Sequence, residues 1–216
     1  MTAVARYALA DYLRTQRCLP PLVAYLGFLA VFHAFPGQVL PGYGASAAAL
    51  VPVGAWLTLS LLNAEDPLQG AITLVNARGR RRVLTGKLCA ALACLLVLTA
   101  AALLWPLAAG GHARFPADPA TGLVAHVTCG LAAMAVATCC ARPVLERQGY
   151  AFSTAVLLCL AVLVSRPLSP ANRTIRLLGA APPGPSAAQT LPLALWALTL
   201  VALSAALVLR LARHRR

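Results

Sequence analysis

Acidic side chains are nearly missing from this chain. Of its 216 residues only five are Asp or Glu, against 18 Lys or Arg, and charged residues together make up 11 %. Soluble domains carry roughly 25 %. The five acids are Asp11, Glu65, Asp66, Asp118 and Glu146, and every one falls outside the long apolar runs. A proton-coupled carrier needs carboxylates within its spans, and a catalytic histidine needs a partner that orients it. His33 and His126 sit on separate apolar runs, near their ends, with no acid close in sequence. They read as satisfied interfacial histidines, so no enzyme is expected and no cofactor. A phosphate-binding loop is lacking too. Gly79 to Lys87 has six residues between its glycines and Leu88 where Ser or Thr should stand. Any nucleotide energy must therefore be bound by another chain. The seven cysteines include no C-x-x-C pair and lie mostly in or beside apolar runs, where they act as small hydrophobes. No metal site or disulfide is expected of them.

What the chain has is oil. Hydrophobic residues make up 60 %, which defines a polytopic, all-α membrane protein with a single transmembrane domain over residues 1–216. Six apolar segments, at about 18–35, 45–63, 88–108, 122–141, 149–165 and 191–210, are each near the length that crosses a bilayer. Pro52 is expected to kink the second, and the fifth is the shortest. Residues 2–17 hold no such run. Arg6, Arg14 and Arg17 share one helical stripe and Ala5, Leu9, Tyr12 and Leu13 another, as in an amphipathic helix lying in the interface, its arginines toward lipid head groups. With the N-terminus inside, 14 basic residues fall on the cytoplasmic side and four outside, so both termini are expected in the cytoplasm. The four outer ones are Arg114, Arg166, Arg173 and Arg176. The net charge of +13 is thus topogenic; it is not gathered with aromatics on one face, and no nucleic acid is expected as partner. Before Pro182-Pro183-Gly184-Pro185, the stretch Asn172 to Leu178 alternates basic and apolar residues as a short interfacial helix would.

The most informative segment lies between the second and third apolar runs. Asp66 is a good N-cap and Pro67 suits the first helical position. Arg78 fits a last turn and Gly79 a residue just past it, which predicts a helix over 66–78. Leu68, Ile72 and Val75 recur at i, i+4, i+7 and form one apolar stripe. A helix this short is marginal alone in water and needs something to lean on.

This layout resembles a permease subunit of the ABC-2 type family of ATP-binding-cassette transporters. The likeness rests on Glu65-Asp66, the helix around Ile72, and the run Gly79-Arg80-Arg81-Arg82-Val83-Leu84-Thr85-Gly86-Lys87-Leu88 that leads into the third span. The resemblance implies an interfacial helix followed by six spans, and a coupling helix at 66–78 that seats in a groove of a separate ATP-binding subunit. On it, Leu68, Ile72 and Val75 are the docking stripe, and Glu65 and Asp66 cap the helix or pair with the ATPase. Arg80, Arg81 and Arg82, with Arg6, Arg14 and Arg17, hold the surface elements to head groups. The resemblance also implies export of a hydrophobic or amphipathic compound across the cytoplasmic membrane, with a second copy or a paralogous permease completing the pathway. The rival expectation is a non-transporting scaffold, immunity or assembly factor with no ATPase, for which the 66–78 helix is dispensable.

Overall fold

The computed structural model describes residues 2–33, 39–108, 118–142, 144–165, 169–179 and 187–214. Arg114, Arg166, the 182–185 run, Arg215 and Arg216, all used in the sequence reading, lie outside them. Among the described residues the structure is all-helical, with nine helices and no strand.

α1 (Thr2–Arg14) lies against the bundle through Ala8 and Tyr12, while Arg6 and Arg14 are exposed. The Tyr12 hydroxyl is 2.8 Å from Ser60 Oγ, and burial pushes its phenol up to about 12. A turn with Gln16 at φ 55° then bends the chain by 77° into α2 (Leu19–Phe32). Pro20 and Pro21 occupy the opening turn of α2, where a missing N–H costs no hydrogen bond.

α3 (Val39–Leu62) carries Pro52 in its interior. The surface helix α4 (Pro67–Asn76) leads to α5 (Arg80–Ala108), and α6 (Asp118–Cys140) follows. α7 (Gln148–Val164) is a shorter apolar helix, α8 (Pro170–Leu178) a surface one, and α9 (Ala187–His214) ends the described chain. Ser169 caps α8 by accepting from the Asn172 N–H at 3.2 Å, and Ala171, Thr174 and Leu178 seat it on the core. Asn172 gives its side-chain amide to the Leu163 carbonyl.

Among the described residues four helices (α3, α5, α6 and α9) are long and apolar enough to cross a membrane, or five if α1 and α2 form one bent span. The chain is a multi-pass membrane protein. The expected first span at 18–35 is represented by α2 alone, whose 14 residues reach about 21 Å at 1.5 Å per residue. That falls short of about 30 Å of hydrocarbon. α7, at 17 residues, reaches about 26 Å and also falls short of that thickness.

α6 is the central post, packed most extensively against α3 and α9. Its apolar window is 78 % buried, against 22 % for that of α9, so α9 turns most of its surface outward. The seam between α3, α5 and α6 is built from small residues. Gly54 faces Leu95 and Ala133, and Ala125, Cys129 and Ala137 are buried on α6. Close backbone approach of this kind is what drives helix association where apolar burial gives no advantage over lipid. Large exposed side chains such as Val31 on α2, Leu157 on α7 and Leu195 on α9 form the outer surface.

Candidate functional site

α4 sits at the end of the bundle where α3, α6 and α9 finish and α5 and α7 begin. The Arg142 N–H reaches Asn63 Oδ1 there at 3.2 Å. Asp66 is its N-cap, in extended conformation, with Oδ1 accepting from the Leu68 N–H at 2.8 Å. At the other end the Gly79 N–H donates to the Leu74 carbonyl and the Arg78 N–H to that of Val75. These are the paired bonds of a Schellman motif. The expected ending therefore shifts. The helix stops at Asn76, and Arg78 itself takes the left-handed position at φ 56°, with Gly79 following at φ 142°. A non-glycine residue there costs roughly 1–2 kcal/mol, and Gly79 supplies the second positive φ, where a side chain would be strained.

The stripe faces outward. Leu68, Ile72 and Val75 are 72 %, 57 % and 77 % exposed, so little of the stripe is covered by the described residues. The opposite face is strapped down by polar contacts. Gln69 Nε2 donates to the Tyr7 hydroxyl of α1 at 2.6 Å, and Thr73 Oγ1 donates to Glu65 Oε1 at 3.3 Å. Glu65 Oε2 in turn takes Lys87 Nζ of α5 at 3.1 Å, and Lys87 also donates to the Leu62 carbonyl at 3.3 Å. One buried node thus holds the end of α3, the underside of α4 and the start of α5.

The two acids differ in their surroundings. Glu65 is buried and matched within the chain by Lys87. Asp66 is exposed, with one oxygen engaged in capping. Replacing Asp66 with Ala is expected to cost about 1 kcal/mol and to speed hydrogen exchange across α4, whereas Asn in its place should keep both near the parent values.

The arginines divide in the same way. Arg6, Arg14, Arg81 and Arg82 are exposed. Arg80 donates to the Ala212 carbonyl and so ties the start of α5 to the end of α9, rather than serving head groups alone. Arg17 gives an N–H to the Ala64 carbonyl at 3.0 Å, which fixes the α1–α2 turn to the end of α3.

Under α4 lies a cavity of about 470 Å³. Ala71 and Leu74 of α4 roof it, and Leu62, Leu84, Ala141 and Val208 contribute apolar wall. Glu65, Asp66, Arg80, Lys87 and Arg142 are its charged lining.

His126, in the first half of α6, is fully buried and both of its ring nitrogens have partners. Its Nδ1 lies 2.8 Å from the Gly122 carbonyl, which only accepts, so the proton belongs on Nδ1. Nε2 then accepts from the Ser46 hydroxyl of α3 at 3.0 Å. This is an interhelical bond of the kind that joins spans. The Ser46 partner was not legible, because pairing across 80 residues leaves no local pattern. His33 closes α2, with Nδ1 3.1 Å from the Leu29 carbonyl.

Comparison with protein-family models, with curated proteins and with solved structures gives no match in any of the three.

Proposed function

We propose that this chain is the membrane-spanning permease subunit of an ABC-2 type transporter of the cytoplasmic membrane. It exports a hydrophobic or amphipathic compound on energy from a separate ATP-binding subunit. The single observation that carries this reading is α4. A ten-residue helix with defined caps is tied to the bundle through Gln69 and Thr73 and turns three large aliphatic side chains to the outside. Such a patch on a polar surface marks a protein contact. The Glu65–Lys87 node below it gives a route for force, since a push on α4 bears directly on α5.

Two further features support the reading. Arg17, Arg78, Arg80, Arg81, Arg82, Lys87, Arg142 and Arg147 gather at the α4 end, whereas Arg173 and Arg176 lie at the opposite end on α8. That is the charge bias of a cytoplasmic face at α4. Six crossings follow if α2 and α7 span together with α3, α5, α6 and α9, the two short helices being accommodated by local thinning of the bilayer. A second copy or a paralogous permease completes the pathway in this scheme.

The test is affinity purification of the tagged chain from native membranes in mild detergent, beside a variant carrying Ile72→Asp and Val75→Asp. Both positions are exposed, so the variant should insert and fold within about 0.5 kcal/mol of the parent. A nucleotide-binding ATPase is expected with the parent and not with the variant. Absence of any ATPase from the parent across several detergents would overturn the transporter reading and leave a scaffold or assembly factor. ATPase retained by the variant would remove the stripe as its docking surface.

A further inference from the structure

The cavity under α4 has an amphipathic layout that the permease reading does not use. Its wall is apolar, drawn from the ends of the spans: Leu62 of α3, Leu84 of α5, Ala141 of α6 and Val208 of α9. Its charge is unbalanced. Three cations, Arg80, Lys87 and Arg142, face two carboxylates, Glu65 and Asp66. Lys87 is spent on Glu65, and Asp66 is turned to the Leu68 amide. Arg80 uses one nitrogen on the Ala212 carbonyl and keeps further N–H groups. Arg142, also part of the lining, is exposed. The volume of about 470 Å³ falls within the range of small-molecule sites, about 300–1,000 Å³.

We propose that this cavity binds a single-chain anionic amphiphile, with its chain along Leu62, Leu84 and Val208 and its head group between Arg80 and Arg142. A guanidinium recognises either a carboxylate or a phosphate through parallel N–H bonds, so a fatty acid and a lysophospholipid share the required chemistry. The site's place in the fold gives occupancy a consequence. Its roof is the underside of α4, so a bound chain fills the gap between that helix and the bundle and steadies the outward stripe. None of this needs the ATPase, so failure of the site leaves the permease reading standing, and the reverse.

The experiment uses the full chain in phosphatidylcholine nanodiscs and a diazirine-bearing palmitate as probe, with labelled peptides mapped by mass spectrometry. Saturable labelling is expected on the segments carrying Leu74, Leu84 and Val208, together with slower hydrogen exchange in α4. The corresponding neutral fatty alcohol should label those segments at least about tenfold less, since bonds to a charged head group are lost. Arg80→Gln with Arg142→Gln should raise the apparent Kd by a similar factor. Ala71→Trp, which fills the cavity from its exposed roof and alters no charge, should abolish labelling even if the arginine variant folds poorly. Unlabelled palmitate and lysophosphatidylglycerol, each as competitor, separate a carboxylate from a phosphate source; displacement by at least one is required. Equal labelling by acid and alcohol, labelling unchanged by Ala71→Trp, or displacement by neither competitor would overturn the site.

Discussion

Lys87→Met is expected to lower stability by about 3 kcal/mol, the range seen when one partner of a buried ion pair is removed. The Lys87 and Glu65 side chains are 10 % and 5 % exposed, so little water reaches either. Removing the ammonium leaves the Glu65 carboxylate, among the described residues, with the Thr73 hydroxyl alone as donor, and leaves the Leu62 carbonyl without Lys87. Glu65→Gln should cost less, about 1–2 kcal/mol, because Lys87 keeps the Leu62 carbonyl and the single amide oxygen can turn to accept from Lys87, giving up the bond from Thr73. The double variant is the informative one. With both charges gone no ion is stranded, and it should recover a large part of the Lys87→Met loss. Denaturant titration in dodecylmaltoside gives the free energies, and hydrogen exchange in α4 reports whether the helix has come loose. A Lys87→Met protein within about 0.5 kcal/mol of the parent would mean the pair behaves as a solvated surface bridge. In that case the route from α4 to α5 loses its rigid link.

That pair also marks where the sequence stops being readable. Local chemistry is enough for the start of α4, because Asp66 and Pro67 act within one turn of themselves, and for a stop near Gly79, but not for Arg78 entering the left-handed region. The apolar runs of α3, α5, α6 and α9 are similarly plain, since bilayer thickness imposes a length on each. Partners across the fold are another matter. Glu65 beside Asp66 looks like a second surface acid until Lys87, 22 residues away, is folded against it. Arg80 stands in a run of arginines that all look topogenic, yet its guanidinium reaches the carbonyl of Ala212, 132 residues on. The break before α2 was half visible. Pro20 and Pro21 announce a helix start, but the left-handed Gln16 that turns the chain gives no compositional sign. The Ser46 partner of His126 is hidden for the same reason, because position along a span does not reveal which neighbour helix a ring will face.

Gly122→Val should be the most damaging single change in the α3–α6 seam, with a cost at the top of the 1–3 kcal/mol expected for overpacking. A Cβ at Gly122 would stand 2.5 Å from Tyr43 Cδ2 and 2.8 Å from Cε2, closer than van der Waals contact allows. The ring has nowhere to go. Tyr43 is fully buried, its hydroxyl donates to the Leu103 carbonyl of α5 at 3.1 Å, and it meets the His126 ring edge-on at 6.0 Å. The helices must part instead, and parting them exposes no compensating apolar gain, because lipid already satisfies the side chains that separate. Gly122→Ala carries the same clash with a smaller side chain and should cost about 2 kcal/mol. Gly27→Ala is the internal control. Apart from its own helix backbone, no described atom lies within 4 Å of its added Cβ, so the change should be neutral or stabilise by up to about 1 kcal/mol through helix propensity. Thermal unfolding in detergent ranks the three. The cause is then isolated by pairing Gly122→Ala with Tyr43→Leu, which removes the opposing ring. Coupling between the two changes, with the pair more stable than the sum of the single costs, places the strain at the ring. Strict additivity would mean that Gly122 matters for the helix backbone itself, and the close approach of α3 to α6 would then have to be held by contacts other than Tyr43 against Gly122.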